Sequence, residues 1–440
     1  MLLLIIGTGL YLSIGLRGIT FVKIPYGFAE LFRGRGTGTA SGISPFNALM
    51  TSLSATVGTG NIVGVATAIT LGGPGAIFWM WIVAIVGTAT KFSEAVLAVH
   101  FREKNAAGRY VGGPMYYISK GIGVKMPVTA KYLAGFFAFM GGITGLASGN
   151  MIQAHSVADA LHQNFGIHTY ITAVLIFVCV GAVLLGGIKS ISNVAGKLVP
   201  FMTISYIGSA LFVILVNFDQ IPHAFYLIFS DAFEPLSAAG GILGGLIALF
   251  GSGAVRFGAS RGVLSNEAGM GSAPIAHAAA ETEDPVQQGV VAMLGTVIDT
   301  LIICTMTALA IIVSGVWTSN EIGVTLTSMA FDSAMPGIGS FIITIALPVF
   351  GFTTLLGWSY YGERCWAYAL GEKSVIPFRI AWVAVATIST SLKLDFVWLM
   401  AEFTTAMMAI PNLIALLLLG PVVFRLSKQY FENEKSLSAG

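Results

Sequence analysis

Residues 52–64 read SLSATVGTGNIVG, and residues 265–274 read SNEAGMGSAP. Glycine and polar residues thus interrupt two stretches that are otherwise apolar enough to span a membrane. Unpaired backbone is costly in lipid, so such breaks persist only where they line a cavity or where a bound solute supplies the missing partners. A break makes half-helices, whose free N–H groups suit a carboxylate and whose free carbonyls suit a sodium ion.

The composition around these breaks is that of an integral membrane protein. Of the 440 residues, 55% are hydrophobic and only 10% are charged, and the mean hydropathy is +0.84. Soluble domains average about 25% charged residues, so a soluble globular protein is excluded. The net charge is +2 without any long run of like charges, which argues against a nucleic-acid partner. The three cysteines have no metal-type spacing, and we expect no cofactor.

Hydropathy predicts about eleven transmembrane helices in an all-α integral membrane protein. The predicted spans cover residues 1–16, 46–70, 75–100, 132–158, 170–188, 192–216, 262–279, 290–316, 339–361, 376–391 and 396–419. The glycine-rich stretch 237–255 would break the charge parity of the later loops, so we interpret it as a re-entrant or peripheral helical segment. The segments around Tyr116 and Phe225 are either surface helices or plain loops.

Basic residues orient these spans. They cluster in the loops after the first and third predicted helices and again beyond residue 420, whereas the loop 218–235 is acidic. Basic loops face the cytoplasm. We therefore predict a multi-pass protein of the cell membrane whose amino terminus lies outside and whose carboxyl terminus lies in the cytoplasm.

The two breaks occupy matching positions, because each opens a block of about five spans and is followed closely by a long unbroken helix. Matching breaks in two halves are the signature of an inverted-repeat secondary transporter. The alternative is that their glycines only permit close helix packing. We predict one transmembrane domain over residues 1–440, divided into an extra amino-terminal helix (1–20), a first repeat (44–216), a second repeat (237–419) and a cytoplasmic tail (420–440).

Four longer strings identify a family. Residues 54–61 (SATVGTGN), 112–118 (GGPMYYI), 265–277 (SNEAGMGSAPIAH) and 357–365 (GWSYYGERC) closely resemble the alanine or glycine:cation symporter family, and the resemblance covers nearly the whole chain. It implies a LeuT-type fold, with one extra helix before ten spans that form two inverted five-helix repeats with two discontinuous helices. It also implies sodium- or proton-coupled uptake of small neutral amino acids.

The resemblance further implies binding positions. In that fold, backbone amides at the first break meet the substrate carboxylate; here these belong to Thr59 and Gly60, and the side chain of Asn61 helps to hold a cation beside it. A second sodium site would combine carbonyls of the first break with hydroxyls of a distant helix, namely Ser54, Val57, Thr353 and Thr354. Hydroxyls suit sodium, but Ser and Thr also commonly bond carbonyls of their own helix.

Trp358 is the candidate wall of the pocket. It follows Thr354 by four residues and so shares its helical face. If that face lines the site, the indole restricts the substrate to small side chains such as those of alanine, glycine or serine. The alternative is a tryptophan of the interfacial belt.

Two further side chains are substrate candidates. Gln153 either hydrogen-bonds the substrate or links two helices, since an unpaired amide would be costly in the membrane. Met270 lies between Gly269 and Gly271, so its thioether packs either on the substrate or in the ordinary core.

Acidic residues inside spans are functional candidates. Glu267, in the second break, and Asp299, in an apolar helix, are both candidates for neutralising the coupling cation. The alternative for Glu267 is a structural brace of the half-helix, and the role of Asp299 is left open. Lys91 and Glu94 are three residues apart, which favours a paired couple on the surface. His277 is either a proton relay or a packing residue at a helix end.

These observations predict a sodium-coupled symporter for alanine, glycine or a similar amino acid, working by alternating access. The alternatives are a proton-coupled amino-acid transporter and an amino-acid sensor with a transporter fold. A channel would repeat polar residues along several helices, and an intramembrane enzyme needs a catalytic pair or a metal cluster; neither pattern is visible. We therefore expect no enzymatic activity, and as partners an amino acid, sodium and the lipid bilayer.

Overall fold

The computed structural model describes residues 1–33, 42–237, 251–392 and 394–439. Nearly all of the described chain is helical, apart from a two-stranded hairpin of β1 (Glu103–Lys104) and β2 (Tyr110–Val111). The hairpin joins two helices in a charged segment for which hydropathy predicts no strand.

The helices of the first half are α1 (Leu2–Gly15), α2 (Ile19–Val22), α3 (Ile24–Arg33), α4 (Pro45–Thr56), α5 (Val65–Gly72), α6 (Ala76–His100), α7 (Pro114–Tyr117), α8 (Pro127–Thr144), α9 (Ile152–Phe165), α10 (Thr169–Leu185), α11 (Gly187–Val216) and α12 (Ile221–Ser237). Those of the second half are α13 (Gly253–Asn266), α14 (Ala273–His277), α15 (Pro285–Thr296), α16 (Thr305–Val313), α17 (Gly323–Ala334), α18 (Ile338–Leu370), α19 (Val375–Ser389) and α20 (Leu394–Ala439). Wider π-helical turns lie at Gly60–Gly64, Ile118–Ile122, Gly145–Met151 and Val297–Cys304.

The length and composition of several helices confirm a membrane protein. Within the described ranges, six helices are long and apolar enough to cross a bilayer, and the bent pair Pro45–Thr56 and Gly60–Gly72 makes a seventh. Leu2–Gly15 and Thr169–Leu185 are apolar but shorter. The total of about eleven spans remains a prediction.

The first break falls where the sequence predicts it. Helix α4 begins at Pro45, with the side chain of Ser44 accepting the backbone N–H of Asn47 as a cap. It ends at Thr56, because Val57 leaves the helical conformation (ψ 94°). The helix resumes at Gly60 after a bend of 54°, so two half-helices meet here.

The second break begins at the end of α13. Glu267 has a φ of +57°, and Gly269 and Gly271 have φ values of +87° and +80°, a region that L side chains rarely adopt. The chain turns through this segment and re-enters a helix at Ala273, with a proline in the first turn, where proline is tolerated.

The predicted start of this span, residue 262, is wrong. Helix α13 begins at Gly253, where the side chain of Ser252 caps it by accepting the N–H of Val255. Arg256 and Arg261 therefore lie inside a helix, and they lowered the hydropathy on which the prediction rested. Most of the segment 237–255 lies outside the described residues, so its re-entrant or peripheral character stays a prediction.

The two segments that the sequence left open are helical, so the plain-loop alternative is wrong for both. Tyr116 lies in α7 and Phe225 in α12.

Helix α6 is the centre of the bundle and packs against α13 and α15. Close contact depends on glycine: a Cβ on Gly258 would lie 2.2 Å from the carbonyl oxygen of Ala76, and one on Gly289 would lie 2.7 Å from a methyl carbon of Val96. Gly87 of α6 leaves similar room for Ala268 in the second break. Backbones can therefore approach closely, as small residues permit in membrane bundles.

We predict that Gly258→Ala destabilises the protein by about 1–3 kcal/mol, the usual cost of overpacking, because the new methyl group meets backbone that cannot rotate away. The measurement is the thermal unfolding midpoint of the detergent-solubilised protein. Gly208→Ala in α11 is the matched control, since none of the residues that the structure describes lies within 4 Å of its Cβ position. Equal midpoints for the two variants would contradict the packing argument.

Candidate functional site

A cavity of about 370 Å³ opens beside the first break. Its walls come from the first break and α5, from the π-turn Gly145–Met151 and α9, from α13 and from α20. The polar lining residues are Thr59, Thr67, Ser148, Gln153, Ser156, Arg261 and Glu402. Thr59, Gly60 and Gln153, which the sequence predicts as substrate contacts, meet here, and the hydroxyl of Thr59 donates to Oε1 of Gln153 (3.4 Å). Arg261 and Glu402 also line the cavity and are charged, and the sequence analysis assigns neither of them to the binding site.

A buried polar cluster lies next to this cavity. The carboxylate of Asp299 accepts hydrogen bonds from Nδ2 of Asn61 (2.8 Å), the hydroxyl of Ser265 (2.6 Å) and the hydroxyl of Thr300 (2.8 Å). All four residues are buried. They join the first break, the end of α13 and the π-turn Val297–Cys304, a type of helix distortion that often marks functional sites.

The donor set of this cluster suits a small hard cation. The carboxylate of Asp299 and the hydroxyls of Ser265 and Thr300 supply hard oxygen ligands, while Asn61 turns its amide nitrogen to the carboxylate. A buried carboxylate is stabilised by a nearby positive charge. Asn61 is also fixed from the other side, because its Oδ1 accepts the N–H of Gly58 (2.9 Å) in the break. The sequence did not predict that Ser265 and Thr300 belong to this site. The one indication in the sequence was that Ser265 is the first residue of the interrupted stretch 265–274.

The hydroxyls of Thr353 and Thr354 bond within their own helix. Both donate to the carbonyl of Phe350, at 2.9 and 3.0 Å. Thr354 nevertheless faces the first break, since its Oγ1 lies 2.7 Å from the Cβ position of Gly58. Thr353 contacts Met202 instead (3.7 Å to Sδ).

Ser54 and Val57 lie at the end of α4 beside helix α18. The Ser54 hydroxyl donates to the carbonyl of Thr51 and lies 2.7 Å from the Cβ position of Gly357. The structure thus brings Ser54, Val57 and Thr354 to the same break, and their role as sodium ligands stays a prediction.

Glu267 and Trp358 form a buried pair. The indole Nε1 of Trp358 donates to Oε1 of Glu267 (2.8 Å), and the Ser272 hydroxyl donates to Oε2 (2.5 Å). These contacts tie both ends of the second break to α18, as a brace would. Trp358 is only 2% exposed, so the interfacial-belt alternative is wrong. It packs on Gly149, whose Cβ position lies 2.2 Å from its ring, and it is not among the residues that line the cavity.

Gly269, Met270 and Gly271 are placed away from the cavity. A Cβ on Gly269 would meet Leu413 and Ile5, one on Gly271 would meet Pro114 and Phe137, and Met270 is buried in the apolar core. These glycines serve the turn and its close packing. Substrate contact by the three residues remains only a prediction.

Lys91 and Glu94 correct the sequence analysis. They do not form a surface pair, because both are at most 1% exposed. A spacing of three residues predicts a surface pair only where the helix has an exposed face, and α6 is buried on nearly all of its faces. His277 is also buried, and its Nδ1 lies 2.7 Å from Nε2 of Gln288.

We predict that Trp358→Phe lowers the thermal unfolding midpoint of the purified protein by removing the indole donor to Glu267. A buried acceptor left without its partner costs about 1–3 kcal/mol. Trp382→Phe is the control, because that indole is equally buried and its Nε1 has no hydrogen-bond partner in the described part of the chain. A loss of the same size in both variants would show that the hydrogen bond contributes nothing.

Comparison with known proteins shows the family of this chain. The sodium:alanine symporter family matches residues 1–439. The sodium/alanine symporter AgcS of Methanococcus maripaludis is 44% identical over 99% of this chain and 95% of its own length. The probable sodium/glutamine symporter GlnT of Bacillus subtilis is 36% identical over 99% of this chain and 88% of its own.

A solved structure shows the same fold. The transporter MhsT, crystallised with L-phenylalanine, superposes with a TM-score of 0.58 at 13% identity, over 89% of this chain and 99% of its own. The fold is therefore LeuT-like, and the protein is a multi-pass membrane transporter, not an enzyme. The chain belongs to the sodium:alanine symporter family, whose members couple amino-acid transport to sodium.

Proposed function

We propose that this chain is a sodium-coupled symporter of the cell membrane that takes up small neutral amino acids, alanine or glycine and also serine, by alternating access. One observation carries the proposal. Thr59 and Gly60 line the cavity, and the next residue, Asn61, donates to the buried carboxylate of Asp299. A substrate carboxylate and a coupling cation would thus be neighbours, each compensating the charge of the other.

The substrate carboxylate would bind at the free backbone amides of Thr59 and Gly60, where the helix resumes after the break. The amide of Gln153 would hydrogen-bond the substrate from the facing helix, in place of its present contact with Thr59. Trp358, Gly269, Met270 and Gly271 do not line the cavity, so their contact with the substrate would require the second break and helix α18 to move toward it during alternating access. In that arrangement the indole would favour small amino acids.

The cation would occupy the cluster of Asp299, Asn61 and Ser265. Asp299 would supply a negative charge there, and because this carboxylate is buried, its attraction for a cation would be screened less than at the protein surface. A second sodium site would use the carbonyls of Ser54 and Val57 with the hydroxyls of Thr353 and Thr354. Glu267 acts as the brace of the second break in this scheme.

The architecture that we propose has about eleven transmembrane helices. An extra helix (1–20) precedes two inverted five-helix repeats (44–216 and 237–419), and residues 420–440 lie in the cytoplasm. The two breaks support this division, because each is followed by a long, buried helix, Ala76–His100 after the first and Pro285–Val313 after the second. One bundle would rock around the site between the breaks.

We predict that the purified protein in proteoliposomes accumulates labelled alanine when an inward sodium gradient is imposed. A proton gradient without sodium should drive no accumulation. Accumulation driven by protons alone would favour the proton-coupled alternative. Binding of alanine without accumulation under either gradient would indicate a sensor.

We predict that Asp299→Asn raises the sodium concentration for half-maximal alanine uptake by about tenfold or more, because hydrogen bonds and contacts to a charged group contribute about 1.5–3 kcal/mol. Asp219→Asn is the control, since that carboxylate is exposed and accepts a hydrogen bond from its neighbour Gln220. Unchanged sodium dependence in Asp299→Asn would remove this residue from the cation site.

A further inference from the structure

Glu94 is fully buried in α6 and holds the second break. Its Oε1 accepts the backbone N–H of Gly271 (3.1 Å) and Nδ2 of Asn412 (2.6 Å). Asn412 also donates to the carbonyl of Gly269 (2.9 Å), and the hydroxyl of Tyr117 donates to Oδ1 of Asn412. A single carboxyl oxygen thus connects α6, the second break and α20.

The other carboxyl oxygen of Glu94 is unpaired. Its Oε2 is buried without a hydrogen-bond partner among the described residues, and the same holds for Nζ of Lys91, one turn earlier on the same helix. A buried polar atom without a partner is rare and calls for a ligand. The titratable groups that face this pair from the surrounding elements are Glu267, Asp299, His277, Tyr117 and Tyr361.

The charges of this region do not balance. Glu94, Glu267 and Asp299 are three buried carboxyl groups, and Lys91 is the cation that interacts with all of them. Both oxygens of Glu267 and of Asp299 accept hydrogen bonds, which is the pattern of ionised carboxylates. Lys91, whose Nζ hydrogen-bonds no described residue, supplies one positive charge for the three carboxyl groups, and, if the proposed function holds, sodium at Asp299 supplies a second. The other proposed sodium site supplies none to this group, because the hydroxyls of Ser54, Thr353 and Thr354 bond backbone carbonyls and no described hydrogen bond links them to these carboxyl groups. The charge of Glu94 would then stay uncompensated, which is costly inside a protein.

We infer that Glu94 is a proton-binding site, with the proton on Oε2, in addition to the sodium sites. The neutral carboxyl keeps both hydrogen bonds of Oε1 to the second break and removes the surplus charge. Transfer of a proton from Lys91 would not suffice, because Glu267 would then lose its counter-charge. Release of the bound proton charges the group that holds Gly271, so transport falls as the pH rises.

The test uses Glu94→Gln in the full-length protein. Glutamine keeps an oxygen that accepts the same two hydrogen bonds and resembles the neutral carboxyl group. We expect sodium-driven alanine uptake of the native protein to fall as the pH rises, and uptake of the variant to match the native level at low pH without that fall. Glu103→Gln, at an exposed carboxylate paired with Lys120, should keep the native pH profile.

Infrared spectroscopy tests the proton directly. The spectrum of the native protein should contain the carbonyl stretching band of a protonated carboxyl group, which Glu94→Gln removes and Glu103→Gln retains. This band is recorded without substrate or gradient, so it reports on Glu94 even if the proposed transport function fails. If the glutamine variant does not fold, Glu94→Asp replaces it, and the band should shift in frequency.

Three results would overturn the inference. The first is a carboxyl band that neither substitution alters. The second is a folded glutamine variant, with the native unfolding midpoint, that keeps the native pH profile. The third is a folded glutamine variant that transports at no pH, since that would show that the negative charge of Glu94 is required.

Discussion

Backbone groups at membrane depth need hydrogen-bond partners, and the structure is organised around the two places where the helices do not provide them. At the first break, Oδ1 of Asn61 accepts the N–H of Gly58. At the second, Glu94 accepts the N–H of Gly271, and Asn412 donates to the carbonyl of Gly269. Side chains thus replace the missing helical bonds, which water would supply in a soluble protein. The side chain is local at the first break and comes from distant helices at the second. The breaks are therefore held by tertiary contacts and can respond when those contacts change.

The same requirement explains why α6 lies at the centre. A helix that supplies Glu94 to the second break must approach it closely, and Gly87 and Gly258 allow this by leaving no side chain at the contacts. Dispersion and packing, not the hydrophobic effect, hold helices together in lipid. Glycine at these positions therefore contributes to stability and to the geometry of the site at once.

Charged residues are scarce in this chain, and several of the buried ones lie near the breaks. The proposed sodium site uses one carboxylate, Asp299, with neutral donors around it, whereas Glu267 is paired with an indole and a hydroxyl. In a medium of low dielectric constant each such charge interacts over a long distance. Binding of a cation at Asp299 and of a proton at Glu94 would therefore influence the same segment of chain.

The sequence by itself determined the membrane class, the family and the positions of both breaks, because hydropathy, glycine clusters and long motifs are local properties of a chain. It also identified Asn61 and Asp299 as residues of interest, but not that they contact each other. Only the tertiary structure decided that Ser265 joins them, that Lys91 and Glu94 are buried and that Met270 packs away from the cavity. The physical reason is that burial and hydrogen-bond partners depend on which helices pack together, and spacing along one helix does not contain that information.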